Sequence, residues 1–96
     1  MKKEVKSLVF GALLAVVSPL ALAGADCKEY PKDQWMSEFD LQKKIINEYG
    51  FAIAKFKVDD NCYEIYGWEK SASAKDGKQK IEVYFDAHTG EIVKKK

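Results

Sequence analysis

Few residues in this chain could do chemistry. His88 is the single histidine, and Cys27 and Cys62 are the only two cysteines. His88 lies in Asp86-Ala87-His88-Thr89-Gly90, ahead of Glu91. A general base there needs a nucleophile or acid beside it, and a metal ion needs at least two further ligands. Asp86 and Glu91 fit ordinary turn and strand-edge positions, so His88 reads as a turn residue. Asp59-Asp60 is acidic, but it lacks the ligand spacing of a calcium loop and reads with Asn61 as a turn. The cysteines form neither a Cys-x-x-Cys pair nor a haem-attachment motif, which leaves redox catalysis without local support. No catalytic, cofactor-binding or metal-ligating set is expected, and none is assigned.

The composition points the same way. The chain has 96 residues, with 16 basic and 15 acidic side chains and a formal net charge of +1. Every basic residue is lysine, and a near-neutral chain without arginine lacks the electrostatic footprint of a nucleic-acid binder. A hydrophobic content of 47% with 12% aromatics argues for a folded domain rather than disorder. The length allows one small domain.

Residues 1–23 read as a secretory leader. Lys2, Lys3 and Lys6 precede an apolar run from Ser7 to Ala23. Ala21-Leu22-Ala23 and Ala23-Gly24-Ala25 are both small-x-small sites, so cleavage is expected after Ala23 or Ala25. Pro19 and the small residues after it favour removal over a permanent anchor, so no membrane span is expected after cleavage. Asp26, directly before Cys27, argues against lipid attachment. Removal of three lysines and Glu4 turns the net charge from +1 to −1. About 73 residues then remain, a marginal length for a core without reinforcement. Export delivers both cysteines to an oxidising space, and a Cys27–Cys62 disulfide is the default expectation. Free thiols or an intermolecular bridge are the alternative.

Residues 24–36 form a polar, largely extended lead-in, and residues 37–96 the domain. Ser37 suits a helix N-cap, with Asp40 three residues on and Met36 and Leu41 at hydrophobic-staple positions. Leu41, Ile45 and Tyr49, with Ile46 beside them, make one apolar stripe. Gly50 supplies a left-handed end, and Phe51 is placed to pack back on the last turn. Strands follow over residues 51–58, 62–69, 79–86 and 91–94, separated by the Asp59-Asp60-Asn61 turn, a loop ending at Asp76-Gly77, and the turn at residues 87–90. The predicted fold is α+β: one α-helix on an antiparallel β-meander of three to four strands.

The alternation of the strands sorts their side chains. Tyr63, Ile65, Ile81, Val83 and Phe85 are expected to face the helix. Glu64, Tyr66, Trp68, Glu82 and Tyr84 then fall on the opposite face, with Lys80. Tyrosine and tryptophan on an exposed face suit recognition, because they supply large contact area at low entropic cost. These five residues are the candidate binding face. Two structural explanations compete: cross-strand aromatic pairing that only stabilises the sheet, and a lead-in carrying Tyr30 and Trp35 folded over it.

Ile81-Glu82-Val83-Tyr84-Phe85-Asp86 followed by Thr89-Gly90-Glu91-Ile92 resembles the strand-turn-strand signature of PepSY domains. Cys27, Pro31 and Trp35, a helix ending at Gly50, Phe56-Lys57-Val58 and Cys62-Tyr63-Glu64-Ile65-Tyr66 are similar to a short, secreted, two-cysteine, stand-alone subgroup of that family. The resemblance runs from Cys27 to Val93. The chain departs from it in a longer Ser/Ala-rich loop over residues 70–75 and in Ala87, where many relatives have proline. The resemblance implies a cystatin-like sheet on a helix, no catalytic residues, and a place in the periplasm or another extracytoplasmic space. It implies a protein-binding or peptidase-inhibitory, regulatory module, whose partner is an unknown protein in the periplasm or at the outer side of the inner membrane. An accessory role in a membrane redox or metal-uptake system is the alternative, and it rests on family association alone.

Overall fold

The Ser37 Oγ accepts a hydrogen bond from the Asp40 amide at 3.0 Å and so fixes the start of the helix. The computed structural model describes residues 24–96, so the expected leader lies outside the described residues. Helix α1, Glu38–Lys44, continues as a π-helical turn over Ile45–Tyr49 and ends at Gly50 with φ 74°. Leu41 and Ile45 are fully buried, whereas Ile46 turns outward and is 54% exposed. The apolar stripe is therefore narrower than the sequence suggests. Phe51 does pack back as expected, stacking on Tyr49 at 5.7 Å.

Four strands follow: β1 (Ala52–Asp59), β2 (Cys62–Lys70), β3 (Lys78–Asp86) and β4 (Ile92–Lys95). They form one antiparallel sheet in chain order, as a meander. The α+β arrangement of one helix on a meander is borne out. Asp60, at φ 58°, makes the tight turn between β1 and β2. The register of β1 shifts between Ile53 and Lys55, so the strand carries a bulge at Ala54. Side chains before and after the bulge therefore alternate out of step. Ile53 precedes the bulge and Phe56 follows it, yet both pack against the core under the helix. Lys55 and Lys57 lie opposite Tyr66 and Glu64, on the other face.

The bulge explains Gly67. A Cβ there would meet the Ala52 carbonyl oxygen at 1.9 Å, so this close approach excludes any side chain.

The core joins Leu41, Ile45 and Phe51 to Tyr63, Ile65, Ile81, Val83, Phe85 and Ala87. The five strand residues expected to face the helix all do so. Among the described residues no helix is long and apolar enough to cross a membrane.

The lead-in is not simply extended. It contains a 3-10 turn, Lys32–Gln34, and wraps around one end of the sheet. Tyr30 Oη donates to Asp86 Oδ2 at 3.0 Å, and Trp35 Nε1 donates to the Tyr30 carbonyl at 3.0 Å. Trp35 then meets Tyr63 edge-on at 5.1 Å, on the helix side. The Met36 amide donates to the Ala87 carbonyl at 2.8 Å, and the Met36 carbonyl accepts from Tyr63 Oη at 2.7 Å.

Candidate functional site

Strand register builds the face away from the helix. Glu64 pairs with Tyr84, Tyr66 with Glu82, and Trp68 with Lys80. The five candidate residues thus share one face, but they do not share one environment. Glu64 and Tyr84 are buried, at 1% and 3% exposure. Tyr66 is 39% exposed, and Trp68 and Glu82 are half-buried.

The difference comes from the start of the lead-in. Cys27 and Cys62 form a disulfide, as expected from export. The bridge packs with Tyr84, and Ala25 lies against the same cluster. Lys94 Nζ donates to the Gly24 carbonyl at 3.0 Å and holds the segment down on the far side. The lead-in does cover part of the face, but through Ala25 and Cys27. Trp35 has turned toward the helix side, and Tyr30 is held at the turn by Asp86 and His88.

Two carboxyls sit at the boundary between the covered and open halves. Burial pushes the Glu64 carboxyl up, and a proton shared with Glu82 adds to the rise against the pull of Lys57. Its Oε1 lies 3.6 Å from Lys57 Nζ, and its Oε2 is buried with no hydrogen-bond partner. A buried carboxylate oxygen without a donor is costly. Glu82 moves the other way, held well below the usual glutamate range by hydrogen bonds from Glu64 and Tyr84. Tyr84 Oη donates to Glu82 Oε2 at 2.7 Å, and Lys96 Nζ lies 3.6 Å from Glu82 Oε1. Burial, then this bond, raise the Tyr84 hydroxyl. Tyr84 and Lys96 thus hold the Glu82 carboxylate, while Glu64 has Lys57 beside one oxygen and no partner on the other.

The open half is aromatic and basic. Lys55 and Lys57 approach the Tyr66 ring at 5.9 and 5.7 Å, and Lys78 lies 5.3 Å from the Trp68 ring centre. A hollow of about 260 Å³ opens here, lined by Ala54, Tyr66, Gly67, Trp68, Lys80 and Ile81. Sequence reasoning assigned Tyr66, Trp68 and Lys80 to this face but missed Lys55, Lys57 and Lys78. For Lys55 and Lys57 the signal was the lysine alternation in the first strand, which the bulge shifts; Lys78 lies one residue before the expected start of the third strand.

His88 and Asp86 fasten the turn between β3 and β4. Asp86 Oδ1 accepts from the His88 and Thr89 amides at 2.9 and 2.8 Å. Burial pushes the Asp86 carboxyl up, but these bonds and the Tyr30 hydroxyl outweigh it and hold it below its ordinary range. His88 Nδ1 lies 2.6 Å from the Gln34 carbonyl oxygen, and its ring lies 5.0 Å from that of Tyr30. The turn reading of His88 therefore gains a second part: the side chain anchors the lead-in. Among the described residues no group of three or more histidine, cysteine, aspartate or glutamate side chains is placed to hold a metal ion.

Residues 7–96 match the sequence profile of the family described as peptidase propeptide and YPEB domain. No curated protein and no solved structure matches the chain significantly.

Proposed function

Because the chain belongs to the family of peptidase propeptide and YPEB domains, the PepSY domains, we propose that it is a non-catalytic, exported regulatory module. It holds another protein on the uncovered half of its outer sheet face. Domains of this family are typically extracellular or periplasmic regulatory or peptidase-related modules. The leader-like residues 1–23 support the same compartment. The reading rests on one observation: Tyr66 and Trp68 stay uncovered while their neighbour Tyr84 is sealed under the disulfide. Aromatic side chains that stack only for stability have no need of an open face beside a hollow.

Inhibition of a separate peptidase is one form this holding takes, since the family is named for peptidase propeptides. The test is capture from a periplasmic extract, with wild type and Tyr66→Ala/Trp68→Ala as paired baits. Wild type should retain proteins that the variant loses. Identical sets on both baits, with both proteins folded, would remove the face from consideration.

A further inference from the structure

The near-neutral net charge hides a segregation. By register, Lys55 and Lys57 on β1, Lys78 and Lys80 on β3, and Lys96 opposite Glu82 lie on the outer face with Tyr66 and Trp68. The acids on that face are engaged or covered: Glu64 is buried against Lys57, Glu82 is occupied by Tyr84 and Lys96, and Asp59 lies beside Gly24 of the lead-in. Among the described residues, Lys55, Lys78 and Lys80 make no ion pair and are exposed. The balancing carboxylates stand elsewhere: Glu38 and Asp40 in the first turn of α1, Glu48 in the π turn, Asp33 in the lead-in. Unpaired lysines around exposed rings form a positive, partly apolar surface.

The hollow narrows the kind of partner. Its volume of about 260 Å³ lies just below the range of roughly 300–1,000 Å³ in which whole small molecules bind. It has the size for one large side chain. Gly67 lines it without a side chain of its own, and Trp68 and Tyr66 supply apolar walls. An anionic lipid surface would meet the lysines but leave this concavity empty.

We infer that this half-face binds an extended acidic segment of a partner protein, with one large apolar side chain seated in the hollow beside Tyr66 and Trp68. The carboxylates of the segment pair with Lys55, Lys78 and Lys80 around that anchor. The inference rests on the function proposed above and adds the chemistry of the partner.

The test selects random peptides displayed on phage against the folded, disulfide-bonded protein. Enriched peptides should be acidic and carry one large apolar residue, and they should not enrich on Tyr66→Ala/Trp68→Ala. A synthetic copy of the leading peptide should bind about tenfold more weakly to Lys55→Glu/Lys80→Glu and lose affinity as salt rises. Both lysines are exposed, and unchanged melting and near-ultraviolet circular dichroism will show that the reversed variant is folded. Neutral or basic enriched peptides, an absence of enrichment, or an affinity indifferent to charge reversal would overturn the inference. So would binding to phosphatidylglycerol vesicles in place of peptides. The extract capture separates this failure from that of the broader reading. If Tyr66→Ala/Trp68→Ala loses the captured protein while Lys55→Glu/Lys80→Glu keeps it, the holding face stands and the acidic partner falls. If both variants keep it, both fall.

Discussion

Opening the Cys27–Cys62 bridge should remove a large share of this domain's stability. The half-cystines are 35 positions apart. For a closed loop of that size, the chain-entropy relation gives about 4 kcal/mol at 25 °C. Domains hold roughly 5–15 kcal/mol in total, and small ones sit toward the lower end. At this length each kcal/mol moves the melting midpoint by about 4–8 °C, so reduction should lower it by about 15–30 °C. The native sheet should change little, because the lead-in is held independently through Tyr30, Trp35 and Met36. Only its first residues, which cover Tyr84, depend directly on the bridge. The assay is thermal melting by circular dichroism, with and without reductant, alongside Cys27→Ala/Cys62→Ala. Alkylation and mass measurement count the thiols, so that resistance to reduction is not mistaken for tolerance of it. A midpoint shift of less than about 5 °C in fully reduced protein would refute the reasoning. The core under the helix would then hold the fold without the staple.

Two glycines should respond for opposite reasons. Gly67→Ala forces a Cβ to 1.9 Å from a backbone oxygen and should cost about 3 kcal/mol or more. Gly50→Ala meets nothing within 4 Å and should cost only the left-handed backbone penalty of about 1–2 kcal/mol; urea denaturation that reverses this order would contradict the bulge. Glu64→Gln should flatten the stability–pH curve. Folded Glu64 keeps its proton to higher pH than in the unfolded chain, so wild type should lose stability as pH climbs above about 4.3, the ordinary glutamate value. Glu82, Asp86 and Glu69 act in the other direction, giving stability above the ordinary carboxylate range that is lost as pH falls. Equal slopes for wild type and Glu64→Gln on the neutral side, measured by denaturation across pH, would mean that Glu64 titrates as an ordinary surface acid.

Most of the fold was legible because its signals are local. Ser37 caps, Gly50 terminates, and β3 alternates without interruption, so each element carries its own evidence. The features that were not legible depend on residues distant in sequence. The bulge at Ala54 goes with a close approach of the Ala52 carbonyl to Gly67, a contact no window of the sequence contains. The 3-10 turn at Lys32–Gln34 forms where the lead-in must bend from Asp86 toward Tyr63. Ile46 fits the apolar stripe by spacing, yet the core takes Leu41 and Ile45 fully and Tyr49 in part, and leaves Ile46 exposed.

The candidate face shows the same division in a form that bears on function. Alternation placed Glu64, Tyr66, Trp68, Glu82 and Tyr84 together, and register keeps them together. What alternation could not supply is which of them the chain itself covers. The disulfide decides that, by drawing Ala25 and Cys27 over Tyr84 and stopping short of Tyr66. The same bridge that reinforces a short domain therefore sets the limit of its open surface. Charge follows a parallel logic. A net charge of +1 says nothing about a partner. The bulge turns Lys55 and Lys57 onto the rings, while the helix takes Glu38, Asp40 and Glu48 to the far side. A neutral composition thus becomes a polar molecule through one extra residue in an edge strand. An edge bulge with outward lysines also guards against edge-to-edge pairing of sheets. Protection of the edge and a basic recognition face therefore need the same residues here, and removing Lys55 separates the two roles. A loss of peptide affinity with no rise in self-association would assign it to recognition, whereas aggregation with affinity intact would assign it to the edge.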